Sequence, residues 1–354
     1  MIKVTLGAVN EGERFTAMAM VSLWTNYNAL QKELESMDKP FELSLTIISK
    51  DQNSMFCDFA KQISSVHRIL SPSLWEDLDY PPMLNGSYAT YWKFDLINAV
   101  ETDEVLVYLD ADAFILGKFE IEVLFKRLQL TRSNNSESLL MVPSHRPVLE
   151  RIGYISKNNP FQYFNAGFFI AKNLKKVNFD TLKEIFETNF FSYQSRLYWH
   201  DQDLLNCYYG EDIYPLPYRY NISTGMFNKN NFSPNGMNYL SEFEFMNVVV
   251  AHASGGILFK KKHYSFRDSI VQKGQDLVSN LEQNKLMREC VLVFLESIRT
   301  SAGRKQIHYL RTFLSKNGEK LISSIDSDFI LFRMKATLKR IKSWIKQKKL
   351  CIEV

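Results

Sequence analysis

The sequence predicts an α/β fold in which helices flank a doubly wound, mostly parallel sheet. Three short runs rich in β-branched residues have the length of buried strands: Ile2 to Val9, Leu43 to Ser49, and Val105 to Leu109. Two stretches between them, Phe15 to Asn26 and Ser87 to Val100, have the spacing of helices. Strands that alternate with helices form parallel sheets, and their ligands lie beyond the carboxyl ends of the strands.

The middle of the chain predicts the mixed edge of this sheet. From Leu139 to His252, strand-like segments such as Tyr163 to Ala171 and Asn247 to Ala251 alternate with loops rich in Asn, Pro and Gly. Such loops at a sheet edge are suited to carry substrate-binding residues.

The composition and periodicity of the sequence change after about residue 265. Glycine becomes rare, and the stretches Leu277 to Thr300 and Asp328 to Lys349 show helical periodicity. We therefore expect an α/β domain over residues 1–264 and an α-helical C-terminal region over residues 265–354, which ends in a basic amphipathic helix.

Composition and charge exclude several classes of protein. A chain of 354 residues, 45% of them hydrophobic, can bury a large core, which excludes a disordered protein. The chain carries a net charge of +4, but eight basic residues and no acidic one lie between Arg333 and Lys349, so the remainder carries −4. A duplex-binding protein spreads basic residues over one broad surface, so we expect no nucleic acid as a ligand.

The cysteines and the N-terminus predict a cytoplasmic protein. The four cysteines lie far apart without a C-x-x-C pair, which fits neither a disulfide framework nor a cysteine zinc site. The N-terminal segment Met1 to Val9 turns polar at Asn10 and lacks the features of a signal peptide. No apolar run approaches the length of about 20 residues that crosses a bilayer.

Two aspartates directly follow the third predicted strand. Asp110 and Asp112 stand at positions i and i+2 after Leu109, and in an extended chain they would share a face. Such a pair can hold a divalent cation that also bridges phosphates, because Mg²⁺ and Mn²⁺ prefer carboxylate and phosphate oxygens. The other interpretation is a turn in which the aspartates bond the backbone. The position after a buried strand favours a metal site.

Five segments in a fixed order form the most specific pattern of the sequence. They are Ser87-Tyr-Ala-Thr-Tyr-Trp-Lys93, Asp110-Ala-Asp112, Phe164-Asn165-Ala166-Gly167, Asp201-Gln202-Asp203-Leu-Leu-Asn206 and His252-Ala-Ser-Gly255. This ordered set resembles the signature of family 8 glycosyltransferases, retaining enzymes of the GT-A fold that include glycogenin and bacterial lipopolysaccharide galactosyl- and glucosyltransferases. The resemblance covers roughly residues 1–262. It implies a nucleotide-sugar-binding catalytic domain.

The resemblance implies a metal centre and a diphosphate-binding loop. Asp110, Asp112 and His252 would bind Mn²⁺ or Mg²⁺, and Asp110 would also contact the donor. Gly255 would let the backbone approach the diphosphate, and Lys260 would neutralise it. In the family's usual His-x-x-Gly-x-x-Lys-Pro-Trp the lysine comes two residues earlier, and Pro-Trp is absent here. The following lysine is an alternative, and a solvated basic turn is the other interpretation of this loop.

The resemblance also assigns residues to the donor sugar and to the reaction. Lys93 would position the donor. Three residues would contact the sugar: Asn165, Ala166 and Gly167. Gln202 and Asp201 would be the catalytic residues: an amide is a poor nucleophile, so Gln202 would stabilise positive charge during front-face substitution with retention. Asp201 or Asp203 would orient the sugar hydroxyls.

The segment that is expected to bind the nucleotide base departs further from the family's sequence pattern. There, an Ala-Asp-Asp-Asn stretch at the end of the first strand reads uracil, whereas this chain has Gly7-Ala8-Val9-Asn10-Glu11. Ala8 and Asn10 are the predicted donor-binding residues of this stretch. UDP is still the expected nucleotide, because the rest of the signature belongs to enzymes that use UDP-sugars.

The basic C-terminal stretch has two interpretations. Four apolar residues recur at helical spacing beside Trp344, namely Met334, Leu338, Ile341 and Ile345, and lysines and arginines fill the remaining arc. Such a helix can lie in a membrane interface and favour anionic lipid. A helix that docks on the protein body and exposes its basic face is the alternative.

Together these features predict a retaining hexosyltransferase. It would move galactose or glucose from a UDP-sugar to a glycan or glycolipid acceptor, such as a lipopolysaccharide or capsule precursor, at the cytoplasmic membrane face. A glycogenin-like protein- or self-glucosylating transferase is the first alternative, since the segment Tyr208 to Tyr220 is rich in tyrosine hydroxyls. An inactive sugar-binding or scaffold protein of the same fold is the second, because the lysine loop is altered.

Overall fold

The three-dimensional structure is a computed structural model of the chain. It describes residues 1–10, 16–74, 88–130, 138–143, 163–192, 200–210, 212–223, 247–253, 264–281 and 283–299. The basic stretch Arg333 to Lys349, the predicted helix Asp328 to Lys349 and the loop with Gly255 and Lys260 lie outside the described residues.

Strands and helices alternate along the chain. The strands are β1 (Ile2–Asn10), β2 (Phe41–Ser49), β3 (His67–Leu70), β4 (Glu104–Leu109), β5 (Ala113–Ile115), β6 (Ser138–Pro143), β7 (Phe164–Lys172), β8 (Ile213–Pro215), β9 (Ile222–Ser223) and β10 (Val250–His252). The α-helices are α1 (Thr16–Glu35), α2 (Met55–Ile63), α3 (Lys93–Ala99), α4 (Ile121–Leu130), α5 (Phe179–Ser192), α6 (His200–Tyr209), α7 (Tyr264–Asn280) and α8 (Lys285–Arg299). Short 3₁₀ helices span Tyr88–Trp92 and Tyr218–Tyr220.

Seven strands form the central sheet in the order β3-β2-β1-β4-β7-β6-β8. β3, β2, β1 and β4 are parallel to one another, so Asn10, Ser49 and Leu109 all end at the same sheet edge. β7 is antiparallel to both β4 and β6, and β8 is parallel to β6. The predicted parallel sheet with a mixed edge is therefore present.

Helices cover both faces of the sheet because the strands are apolar on both sides. On one face, Val105, Val107 and Leu109 of β4 share a hydrophobic cluster with residues of α1, α2, α4, α7 and α8. On the other face, Leu106 and Tyr108 of the same strand join residues of α3, α5 and α6. Alternate residues of β4 thus face opposite halves of the core.

A second, three-stranded sheet extends β4 beyond its carboxyl end. β5 pairs antiparallel with β10, and β10 pairs parallel with β9. Helix α1 holds β5 through buried side chains: Asn26 donates to Ala113 O at 2.9 Å and accepts from Ile115 N at 2.7 Å. Ser22 also donates to Ala113 O, at 2.7 Å. These bonds satisfy backbone groups that would otherwise be buried without partners.

Several local predictions differ from the structure. The stretch after Ser87 begins as a 3₁₀ helix and becomes α-helical only at Lys93. β10 begins at Val250, after the predicted start at Asn247. The periodic stretch Leu277 to Thr300 belongs to two helices, because α7 ends at Asn280 and α8 begins at Lys285. Two helices, α5 and α6, lie in the middle of the chain, where only strand-like segments and loops were expected. β3, α2 and α4 were not predicted either; β3 has only four residues and no apolar alternation.

The C-terminal helices α7 and α8 pack against α1. Their residues Ile270, Leu277, Val291 and Leu295 are buried in the same cluster as the sheet. The division of the chain between residues 264 and 265 stays a prediction. Among the described residues, no helix has both the length and the apolar character that a membrane span requires.

Candidate active site

Asp110, Asp112 and His252 meet at the carboxyl edge of the parallel strands. Each offers one ligand atom, and these atoms all lie within 4.8 Å of one another. Pairing of β10 with β5 sets His252 opposite Ala113, the residue after Asp112. The chain turns at this point, with a 2.9 Å hydrogen bond from Ala113 N to Asp110 O. Asp110 to Asp112 therefore form a turn rather than an extended segment, and this turn brings the two carboxylates to the histidine.

The separations within this cluster suit a small divalent cation. His252 Nε2 lies 3.2 Å from Asp112 Oδ1 and 3.6 Å from Asp110 Oδ2. Two ligands about 2.1 Å from an octahedral ion and at right angles to each other are about 3 Å apart. Two carboxylates and one imidazole form a mixed O,O,N donor set that accepts Mn²⁺ as well as Mg²⁺. The described residues therefore fit a metal ion.

Tyr108 and Lys93 hold one oxygen of Asp110 and leave the other facing His252. The Tyr108 hydroxyl donates to Asp110 Oδ1 at 2.6 Å, and Lys93 Nζ approaches the same oxygen at 3.5 Å. Lys93 Nζ also lies 5.0 Å above the centre of the Tyr108 ring. Asp110 Oδ2, which lies 3.6 Å from His252 Nε2, is thereby the oxygen that would bind a metal. Burial, followed by the charge of Asp110, raises the pKa of Tyr108 well above its ordinary value, so its hydroxyl stays a donor.

Lys93 is a buried cation between two carboxylates. Its side chain forms ion pairs with Asp110 and Asp201 and donates to Ala166 O at 3.2 Å. Burial lowers its pKa, but the charges of Asp110 and Asp201 outweigh burial and raise the pKa above its ordinary value. Lys93 therefore stays charged and joins α3, β4, β7 and α6 at one point.

The electrostatics of the cluster favour bound cations. Burial raises the pKa of Asp110, but the charges of Lys93 and His252 outweigh it, so the pKa is lowered and the carboxylate is ionised. Burial lowers the pKa of His252, and the charge and hydrogen bond of Asp112 outweigh it and raise the pKa. Both aspartates thus stabilise a positive charge at His252 Nε2, the position where a metal would replace the proton.

β7 bulges where it passes the cluster of Asp110, Asp112 and His252. Its pairing with β6 shifts register between Met141, opposite Phe169, and Val142, opposite Asn165, so the three residues from Ala166 to Phe168 have no partner residues on β6. Gly167 O accepts a 2.9 Å hydrogen bond from Asp110 N. A Cβ on Gly167 would lie 2.5 Å from His252 Nδ1 and 3.0 Å from Asp110 Oδ2, so only glycine leaves room for the imidazole.

Gln202 and its neighbours Asp201 and Asp203 lie on the first turn of α6. Gln202 is buried, and its Oε1 accepts a hydrogen bond from Ala166 N at 3.2 Å. Asp203 is completely buried and accepts a hydrogen bond from the Tyr163 hydroxyl. Both carboxylates that flank Gln202 are therefore engaged, Asp201 with Lys93 and Asp203 with Tyr163.

Asn206 and Asn221 fix the position of β7 beside α6 and β9. Asn206 donates to Phe164 O at 2.9 Å and accepts from Phe164 N at 2.8 Å. Asn221 donates to Asn165 Oδ1 at 2.7 Å. The two asparagines thus contact the two successive residues with which β7 begins.

The predicted nucleotide-binding residues lie at the end of β1. Ala8 is half-buried, whereas Asn10 is almost completely buried. Asn10 Nδ2 donates at 3.2 Å to the hydroxyl of Ser54, which caps α2. A small cavity between this end of β1 and α1 is lined by Ala8, Val9 and Ala111, with Ser22 and Asn26 of α1.

The chain matches a known family by sequence. The sequence pattern of Glycosyl transferase family 8 matches residues 14–256, more than half of the chain. This chain belongs to glycosyl transferase family 8. The predicted family is thereby confirmed, and the family and the fold indicate a transferase. No curated protein matches the family 8 chain in a direct sequence comparison.

Solved structures share the fold of this family 8 member. Galactosyltransferase LgtC in complex with donor and acceptor sugar analogs is 14% identical, covers 77% of this chain and 95% of its own, and has a TM-score of 0.51. An active-site mutant of LgtC is 14% identical, with coverages of 78% and 96% and a TM-score of 0.52. The bifunctional glycosyltransferase WbbM is 14% identical, with coverages of 77% and 49% and a TM-score of 0.52. The predicted GT-A fold is confirmed.

Among the described site residues of this family 8 member, four had not been predicted: Tyr108, Tyr163, Asn206 and Asn221. Tyr108 had a detectable signal, because it precedes Asp110 by two residues on a strand. Asn206 had one too, because it ends the segment that begins at Asp201. Tyr163 and Asn221 carry no local signal, since each acts through a partner from a distant part of the chain.

Proposed function

We propose that this family 8 member is a metal-dependent, retaining hexosyltransferase that moves galactose or glucose from a UDP-sugar to a glycan acceptor. The observation that carries the proposal is the cluster of Asp110, Asp112 and His252 beside the buried Lys93. Two acids, an imidazole and a lysine at the carboxyl edge of parallel strands match the needs of a nucleoside diphosphate with a divalent cation. Galactosyltransferase LgtC, which shares the fold, was solved with donor and acceptor sugar analogs.

The residues of this chain divide the work of the reaction. Asp110 Oδ2, Asp112 Oδ1 and His252 Nε2 would hold Mn²⁺ or Mg²⁺, which when bound stabilises the negative charge of the leaving diphosphate. Lys93 fixes the ionised carboxylates of Asp110 and Asp201 by charge. These carboxylates are then in position before the donor enters, so less free energy is needed to rearrange them during the reaction.

Gln202 would stabilise the positive charge that develops at the sugar carbon. Its amide oxygen lies next to the Ala166 backbone in the bulge of β7, where a hexose would meet small residues. Asp201 and Asp203 are each engaged with a partner, Lys93 and Tyr163, which supports front-face substitution over attack by either carboxylate. Asp201 would orient a sugar hydroxyl from its ion pair.

The acceptor is proposed to be a glycan or glycolipid at the cytoplasmic membrane face, such as a lipopolysaccharide or capsule precursor. The positive charge concentrated between Arg333 and Lys349 supports a peripheral contact with anionic lipid. In this proposal residues 1–264 form the catalytic domain and residues 265–354 a helical region that carries this contact. Glycogenin-like self-glucosylation is the alternative: Tyr209 and Tyr220 are buried, whereas Tyr208, Tyr214 and Tyr218 are only partly buried.

A sugar-nucleotide hydrolysis panel tests this function. The protein is incubated with Mn²⁺ or Mg²⁺ and UDP-galactose, UDP-glucose and the corresponding ADP- and GDP-sugars, and nucleotide release is measured. We expect release from one UDP-hexose only, and NMR of the transferred sugar should show a retained anomeric configuration.

Matched variants locate the activity at the cluster. Asp110→Asn and Asp112→Asn should each abolish release with little loss of thermal stability, because their role is electrostatic. Asp58→Asn removes an exposed carboxylate on α2 and should leave release unchanged. Absence of release by the wild type from every donor would refute the enzyme and favour the inactive sugar-binding alternative.

A further inference from the structure

One backbone donor and one side-chain donor fix the amide of Asn165. Its Oδ1 accepts a hydrogen bond from Gly167 N at 2.9 Å and another from Asn221 Nδ2 at 2.7 Å. Gly167 N is a backbone donor and has no acceptor form, so the atom that faces it must be the oxygen of Asn165. The orientation of the Asn165 amide thus follows from its partners rather than from a choice between equivalent atoms.

The fixed orientation leaves Asn165 Nδ2 as the outward atom. Asn165 is only partly buried, and no described residue accepts a hydrogen bond from its Nδ2. Asn165 lies two residues from Gly167, which contacts His252 and Asp110. The two N–H groups of Asn165 Nδ2 therefore lie beside the cluster of Asp110, Asp112 and His252, where an oxygen-rich ligand would bind.

Asn221 is held rigidly enough to impose this orientation. It follows the 3₁₀ helix Tyr218–Tyr220, its N–H bonds Tyr218 O at 2.9 Å, and it is 1% exposed. The next residue, Ile222, begins β9, which pairs with the strand that ends in His252. The side-chain amide of Asn221 thus approaches Asn165 from the residue that precedes β9, the strand next to the one that carries His252.

The other end of the Asn221 amide is a buried oxygen. Its Oδ1 is buried and has no hydrogen-bond partner among the described residues. A flipped Asn221 amide would point that oxygen at Asn165 Oδ1 and lose the 2.7 Å bond. The observed orientation of the Asn221 amide leaves its Oδ1 without a partner among the described residues, but it preserves the hydrogen bond from Nδ2 to Asn165 Oδ1.

We propose that Asn221 is a positioning residue that holds Asn165 so that its Nδ2 donates to an oxygen of the bound sugar nucleotide. The inference rests on the proposed function. The recognised group is an oxygen acceptor, which is present both on the sugar hydroxyls and on the diphosphate. Without Asn221 the amide of Asn165 can rotate, and its N–H groups are no longer directed at the donor.

A double-mutant cycle tests this assignment. Asn221→Ala, Asn165→Ala and the double variant are compared with the wild type for hydrolysis of the UDP-hexose that the panel identifies. Asn221→Ala should raise KM by about three- to tenfold, the value of one hydrogen bond, with a smaller change in kcat. In the Asn165→Ala background, Asn221→Ala should have no further effect on KM, because Asn221 acts on the donor only through the side chain of Asn165.

A merely structural role for Asn221 predicts a different pattern. The KM effects of the two substitutions would then be independent and multiply in the double variant, and this result would overturn the proposal. Asn98→Ala is the matched control, since Asn98 bonds the backbone of Val177 at 2.6 and 3.1 Å on another part of the fold. It should lower the melting temperature without changing KM.

Binding of UDP alone separates the two acceptor oxygens. If Asn221→Ala weakens binding of the UDP-hexose in the presence of Mn²⁺ but leaves UDP binding unchanged, Asn165 contacts a sugar hydroxyl. If both weaken equally, it contacts the diphosphate. A wild type that hydrolyses no sugar nucleotide refutes the proposed function. Neutron diffraction tests the positioning by itself, because an Asn165 amide with deuterium atoms towards Gly167 N would overturn it.

Discussion

Gly167 lies directly against the imidazole of His252, and the absence of a side chain there decides where the ring can be. A Cβ at this position would lie 2.5 Å from His252 Nδ1 and 3.0 Å from Asp110 Oδ2. The glycine sits in the bulge of β7, and its carbonyl accepts a hydrogen bond from Asp110 N. One residue therefore adjusts both a carboxylate and an imidazole of the candidate metal site.

Gly167→Ala should displace His252 and weaken metal binding. We expect the affinity for Mn²⁺, measured by titration calorimetry, to fall by about 10- to 100-fold, as it does when the surroundings of a ligand are disturbed. Gly274→Ala is the control, because a Cβ there would overlap Leu295 between α7 and α8. That variant should lose about 1–3 kcal/mol of stability and keep its Mn²⁺ affinity. Equal Mn²⁺ binding by Gly167→Ala and the wild type would contradict the assigned role of His252.

Tyr108→Phe removes one hydroxyl and leaves the ring in place. Asp110 Oδ1 then loses its 2.6 Å hydrogen bond, and the carboxylate is less firmly oriented towards the cluster. Mn²⁺ affinity should fall by about tenfold. The ring still stacks on Phe169 at 4.8 Å, so the melting temperature should change little. Tyr209→Phe removes another buried hydroxyl, which bonds Lys175 O at 2.9 Å, and should leave Mn²⁺ affinity unaltered.

Gln202→Ala should slow turnover more than it weakens donor binding. A group that stabilises developing positive charge acts mainly in the transition state, so kcat should fall on the order of a hundredfold while KM changes little. Steady-state kinetics with the identified UDP-hexose provide the measurement. A variant whose only defect is a raised KM would make Gln202 a donor-binding residue.

Truncation before Arg333 should separate the two interpretations of the basic stretch. If this stretch binds membrane, the truncated protein should transfer sugar to a soluble acceptor normally and sediment less with anionic vesicles, since each lysine near such a surface contributes about 1 kcal/mol. A docked helix predicts unchanged sedimentation and a large fall in melting temperature, because its removal would expose core residues. Vesicle co-sedimentation and thermal melting therefore give opposite results for the two.

Three of the buried strands and the chemical type of the site could be predicted from the sequence. β1, β2 and β4 are rich in apolar and β-branched residues, as expected for strands that are covered on both faces. Asp110 and Asp112 follow such a run directly, so local sequence indicates their place at the sheet edge. β3 escaped prediction because its side chains are largely exposed and carry no periodic pattern.

Long-range pairing decided how the site is assembled. His252 meets Asp112 because β10 pairs with β5, across a sequence separation that no local pattern encodes. The same is true of the ion pair between Lys93 and Asp201 and of the hydrogen bond between Asn165 and Asn221. The sequence alone determined which strands are apolar enough to be buried and which acids follow them. Only the tertiary structure decided which distant polar groups share one site, because that depends on strand register and bulges, which are set by packing across the whole sheet.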